Sequence, residues 1–144
     1  MKIQKLLSLM GFLLLFGPSL QFCKAQSNGN WNPLWVSTTN RFKGVEGFYQ
    51  LTTCNGAETV LLKFVNYNPY SVKAVWKDMV VTKTNQQLSG NLPQQSVTIG
   101  SNSEVKGDCT SNTIQLVRKL SDFGVTGTNF QALIANNFDV IAKN

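Results

Sequence analysis

No histidine occurs anywhere in the 144 residues. That absence excludes Ser-His-Asp and Cys-His catalysis, and it excludes histidine-based zinc and copper sites. Cysteine is scarce, with three in the chain and none in a C-x-x-C pair, so a redox dithiol is not encoded. There is no glycine-rich phosphate cradle; the Gly124/Gly127 spacing follows no strand-to-helix switch and reads as turn chemistry. Lysine and arginine form no run. A nucleic-acid binder concentrates its cations on one face, so nucleic acid is not the expected partner. The sequence also lacks internal repeats, low-complexity tracts and any helical stretch of ten or more residues with caps.

One long apolar run exists, and it lies at the start. Lys2 and Lys5 precede LLSLMGFLLLFG (6–17), Pro18 breaks it, and Cys23-Lys24-Ala25 sets small residues three and one before a cut. This is the pattern of a secretory signal peptide over 1–25, cleaved between Ala25 and Gln26, and the run is too short for a membrane span. Lipid attachment at Cys23 is the alternative, although Phe22 stands where a small residue is wanted. Residues 26–32, QSNGNWN, read as a flexible leader and 33–144 as one domain. Export makes the protein periplasmic or secreted, with no integral membrane span expected. Three of the 13 basic residues leave with the signal, so about 119 residues carry ten basic and seven acidic groups, a net charge of +3 rather than +6.

Cleavage leaves two cysteines, Cys54 and Cys109. In an oxidising compartment they are expected to pair. Closing a loop of this length stabilises a domain by roughly 4 kcal/mol in the chain-entropy picture.

Short alternating runs fill the rest. Strands are expected at 34–39, 45–54, 58–66, 71–76 and 96–100, then at 112–120 and 136–143, with 130–134 either a strand or a helical turn. The fourth run could continue through 78–84 after a bulge near Asp78–Met79, where its phase is unclear. The pattern implies an all-β domain: a single antiparallel β-sandwich, immunoglobulin-like in the broad sense, with one disulfide, or alternatively a small β-barrel. The expected core is Val60, Leu62, Phe64, Val72, Ala74, Trp76, Ile114 and Leu116, with Trp35 also inward. The order Cys54…Trp76…Cys109 follows that of antibody domains, which suggests a core role for Trp76. Gly107 stands where those domains place a tyrosine.

The Ala25-Gln26 cut, C-N-G at 54–56, V-L-L-K-F-V-N-Y-N at 60–68, V-K-A-V-W at 72–76 and E-V-K-G-D-C at 104–109 carry a further likeness. From Cys54 to Cys109 the chain resembles small exported single-domain β-proteins of Bacteroidota-type bacteria. The resemblance implies an exported compartment and a compact β-domain, and assigns no activity.

What remains for function is surface recognition. Aromatic rings stand at three places: Tyr67 and Tyr70 in the NYNPYS segment, Trp31 and Trp35 near the start of the domain, and Phe123 and Phe130 around a late loop. Asn66, Asn68 and Pro69 suffice for a hairpin turn; a ligand loop is the alternative. Glu104 and Asp108 approach each other in sequence but have too few companions for calcium. The expected function is an exported, non-catalytic binding or structural module of the cell envelope, with a protein or glycan partner and no cofactor or metal. Tyr67, Tyr70 and Trp31 are its candidate contacts. The alternative is a small histidine-free hydrolase acting on glycans through two carboxylates.

Overall fold

A computed structural model describes residues 30–36, 39–110 and 114–143. The expected signal peptide, its cleavage site, Cys23 and the start of the leader lie outside the described residues. So do 37–38 and 112–113, which fall within two of the expected strands.

The strands are β1 (Asn32–Val36), β2 (Arg41–Phe42), β3 (Val45–Cys54), β4 (Ala57–Asn66), β5 (Val72–Thr82), β6 (Gln87–Leu88), β7 (Gln95–Ile99), β8 (Glu104–Lys106), β9 (Val117–Lys119) and β10 (Phe130–Ala142). Two short 3-10 turns, Ile114–Leu116 and Leu120–Phe123, flank β9. The all-β expectation holds. β3 and β4 form a long hairpin closed by Asn55 and Gly56, both at positive φ (50° and 79°), as a two-residue turn between right-twisted strands requires.

The sheet runs β6-β5-β10-β1-β3-β4-β8, with β2 also on β3, β7 on β5 and β9 on β4. Its joint is β1. Asn32–Leu34 pair antiparallel with β3, then Trp35 and Val36 pair parallel with Ile134 and Ala135 of β10. One strand thus belongs to two halves, and the fully antiparallel sandwich gives way to one curled, mixed sheet. It curls because the inward residues of both halves need each other: Phe64 of β4 meets Trp76 of β5 at 4.7 Å between ring centroids and stacks on Phe138 of β10 at 5.8 Å. Neither strand end pairs with the other among the described residues, so the barrel alternative is also not reached.

The curl makes the 66–71 segment a crossover. β4 pairs with β3, β8 and β9, whereas β5 pairs with β10, β6 and β7. The hairpin reading of NYNPYS is therefore corrected: the flanking strands are consecutive in sequence but sit in opposite halves. Buried Asn66 holds the crossing. Its Nδ2 donates to the Tyr70 and Gly100 carbonyls (2.9 and 2.8 Å), and its Oδ1 accepts from the Asn68 backbone N–H (3.0 Å).

Val60, Leu62, Phe64, Val72, Ala74, Trp76 and Leu116 are buried as expected, but Ile114 is 74% exposed. The run 112–120 is not a continuous strand: 114–116 tightens into a 3-10 turn, which turns Ile114 outward and Leu116 inward. Trp35 is also corrected, being half-exposed while Leu34 and Val36 on either side are fully buried. Alternation permits one face only. Buried Gly47, on the paired strand, leaves the space that Leu34 fills; a Cβ there would lie 2.9 Å from Leu34 Cδ2.

No bulge interrupts β5. Its inward phase runs unbroken through Val72, Ala74, Trp76, Asp78, Val80 and Thr82. The irregularities lie on the partner strand, between Phe130 and Ala132 and between Asn136 and Asp139. In the second, Asn137 takes a positive φ of 50°, and the added residue restores Phe138 to the interior. The disulfide is present: Cys54 at the tip of β3 bonds to Cys109 after β8, with Cα atoms 5.1 Å apart.

Candidate functional site

Two polar clusters stand out, one inside and one outside. Inside, Asp78 on β5 and Arg118 on β9 form a buried ion pair between the two halves, through the Arg118 Nε–H and Asp78 Oδ2. Trp76 Nε1 donates to the other carboxylate oxygen at 2.7 Å. The Arg118 guanidinium also donates to the carbonyls of Ile114 (2.6 Å), Gln115 (2.7 Å) and Val117 (2.8 Å). Both charges are compensated and closed from solvent, so the cluster fastens the 3-10 turn to the core. It leaves no side available to a substrate.

Outside, the face of β3 and β4 that points away from the core carries the aromatic residues. Alternation sends Val45, Gly47 and Tyr49 inward and Glu46, Phe48 and Gln50 outward. On β4, Lys63 and Val65 share that outer face, and Tyr67 follows in phase. Register places Arg41 opposite Glu46, Phe48 opposite Lys63, and Pro33 opposite Phe48, which brings Trp31 alongside. Lys63 Nζ sits 5.0 Å from the Trp31 ring centroid and 4.7 Å from that of Phe48. The Arg41 guanidinium lies 4.1 Å over the Tyr67 ring, whose hydroxyl donates to Glu46 Oε2 at 2.6 Å. That hydrogen bond to a carboxylate, together with partial burial, raises the Tyr67 pKa above its ordinary value of 10.0. Cations held over ring faces gain about 0.5–1 kcal/mol at exposed sites, enough to order the side chains without removing them from water.

Of the three expected contacts, the structure brings Trp31 and Tyr67 to this one face. Tyr70 is equally exposed (49%), but it lies beyond Pro69 on the crossover, and its backbone carbonyl accepts the Asn66 Nδ2–H. Phe123 and Phe130 are core residues; Phe130 packs edge-on against Tyr49 at 5.8 Å. Sequence reasoning missed Phe48, Lys63 and Arg41 as surface contacts. The signal was present in the period-two alternation of 45–54, which separates Phe48 from Tyr49 but does not say which face is wet.

The acids are dispersed. Glu46 serves Tyr67 and Asp78 serves Arg118. Glu58 Oε2 accepts the Gly127 N–H (2.7 Å), Asp139 pairs with Lys43 (2.7 Å), and Asp108 accepts from the Thr110 N–H and hydroxyl (2.8 Å each). No group of three or more acids or cysteines is placed to hold a metal ion among the described residues, and no described helix is long and apolar enough to cross a membrane. No protein-family model, no curated protein and no solved structure matches this chain.

Proposed function

We propose that this chain is an exported, non-catalytic binding module that uses the outer face of β1, β3 and β4 to hold a partner at the cell envelope. The observation that carries this reading is the ring set of Phe48 on β3, Trp31 just before β1 and Tyr67 just after β4, above an interior with no unpartnered buried polar side chain among the described residues. Phe48 is fixed by its strand and the other two rings by cation contacts at the strand ends, and aromatic surface held in place loses little entropy on binding. Five of the seven acids hold protein partners, which supports binding over carboxylate hydrolysis. The sandwich-like reading of the frame, immunoglobulin-like in the broad sense, draws support from the Phe64–Trp76 contact between strands that do not pair. The N-terminal pattern and the likeness to small exported β-proteins support export to the periplasm or beyond.

The test is retention on insoluble polysaccharides and on immobilised envelope proteins. Phe48→Ala/Tyr67→Ala should lose retention by about tenfold, the scale of one displaced hot-spot ring. Tyr70→Ala should not. Equal retention by all three proteins would move the site off this face.

A further inference from the structure

The outer face contains an electrostatic oddity. Lys63 on β4 stands directly opposite Lys106 on β8. Both side chains are on the wet side, because their neighbours Phe64 and Val105 pair on the inner one. Like charges directly opposite across an antiparallel pair repel and destabilise it. Among the described residues neither lysine is ion-paired: the two ion pairs are Lys43–Asp139 and Arg118–Asp78. Lys63 is held instead between the Trp31 and Phe48 rings, a contact that positions the ammonium but does not neutralise it. Arg41 is held in the same way over Tyr67. The nearby acids are Glu46, whose carboxylate accepts the Tyr67 hydroxyl, and Glu104, two residues before Lys106 on its strand.

We propose that Lys63 and Lys106, with Trp31 and Phe48 beside Lys63, form the anchoring subsite for a carboxylated sugar unit of an acidic polysaccharide. This rests on the reading of the same face as a binding surface and names its ligand class. Two lysines on adjacent strands place their Cα atoms about 5 Å apart, so both side chains can turn to one carboxylate once the Lys63 ammonium swings off the Trp31 and Phe48 rings it now covers. The half-buried Trp31 and Phe48 rings beside them offer apolar surface to a sugar ring. Arg41 lies on the far side of β3, about 10 Å across from Lys63 and roughly 7 Å further in the strand direction, where it can meet another acidic group of the same chain. A polymer bearing several carboxylates can meet both points; a neutral glycan would leave the paired lysines uncompensated.

The probe is polygalacturonate, run beside the same polymer with its carboxyls methyl-esterified, poly-glutamate and single-stranded DNA. The variants are Lys63→Gln/Lys106→Gln and, as a control of equal charge on the other half of the sheet, Lys73→Gln/Lys77→Gln, both checked for unchanged melting. We expect polygalacturonate to bind best, and the first variant to weaken it about tenfold, with the control nearly unaffected. Binding should also fall as salt rises from roughly 0.05 to 0.5 M. Equal binding of the esterified polymer would overturn the acidic ligand while leaving the face a glycan surface. Equal or tighter binding of poly-glutamate or DNA would overturn the saccharide assignment. Loss of binding in the control variant as well would reduce the effect to net charge and overturn the subsite. Binding to none of the four probes overturns it too; the aromatic variants on envelope proteins then decide separately whether the face binds anything.

Discussion

At the scale of single residues, the sharpest dependence falls on Arg118. Its guanidinium has four protein acceptors, and among the described residues Asp78 has no other cation. Arg118→Ala leaves a buried carboxylate unpaired and should cost about 3–5 kcal/mol in urea unfolding. A paired Asp78→Leu/Arg118→Met change should cost far less, since removing both charges strands neither. Gly107 is the second such residue. A Cβ there would overlap the Leu116 carbonyl, so Gly107→Ala should destabilise by about 1–3 kcal/mol. The tyrosines set an alkaline limit. Burial raises Tyr49 above 10.0, and the Glu46 hydrogen bond raises Tyr67 in the same direction. A raised folded pKa means that the folded state holds the proton more tightly. The stability this gives is complete below the unfolded value near 10.0 and is lost as pH climbs through the folded values. Phenolate absorbance should show both groups ionising above 10.0, and Tyr67→Phe should remove one of the two late steps. Asp139 runs oppositely: Lys43 and the Val140 N–H lower it below 3.8, so its small, solvent-screened contribution disappears only as pH falls below that value.

At the scale of elements, the strand positions were largely legible and their partners were not. β3 falls on the residues its alternation marks, and β4 and β7 fall within a residue of theirs. The break expected at Asp78 does not exist, because a charged residue at an inward position looks like a phase error until its counter-ion is known. Arg118 lies 40 residues away, and no local pattern announces it. NYNPYS reads as a hairpin because asparagine and proline suit any sharp change of direction. Whether the flanking strands then pair depends on distant residues such as Ser103, whose carbonyl accepts the Asn66 N–H at 2.9 Å. Trp35 illustrates the same limit. Alternation separates it from Leu34 and Val36, but size alone does not decide which set is inside, and the room beside Gly47 does. Of the candidate site, Trp31 was visible as an aromatic in the leader and Tyr67 as one in the NYNPYS turn; their meeting with Phe48 and Lys63 comes from register. The crossover itself should be sensitive. Asn66→Ala removes partners from the Tyr70 and Gly100 carbonyls and from the Asn68 N–H, and should cost about 1–3 kcal/mol in thermal or urea unfolding.

At the scale of the whole molecule, several fastenings hold a curled sheet whose ends do not pair among the described residues. β1 joins the halves on one side. The Asp78–Arg118 pair joins them through the interior, and Cys54–Cys109 ties the tip of the β3–β4 hairpin to the chain that follows β8. Reduction, or Cys54→Ser/Cys109→Ser, should lower stability by about 2–5 kcal/mol. It should leave the outer face of β3 and β4 formed, because the ladder there does not depend on the bridge. We propose that the outer face, with its rings and with Lys63 and Lys106 outside any ion pair among the described residues, is what this frame presents to a partner. The measurement that bears most directly on this is retention on polysaccharide and envelope protein of the wild-type chain beside Phe48→Ala/Tyr67→Ala, with melting followed in parallel. We expect about a tenfold loss of retention at nearly unchanged melting temperature. Full retention by the variant would mean that the rings only cover the sheet and that recognition, if the protein has it, belongs to another face.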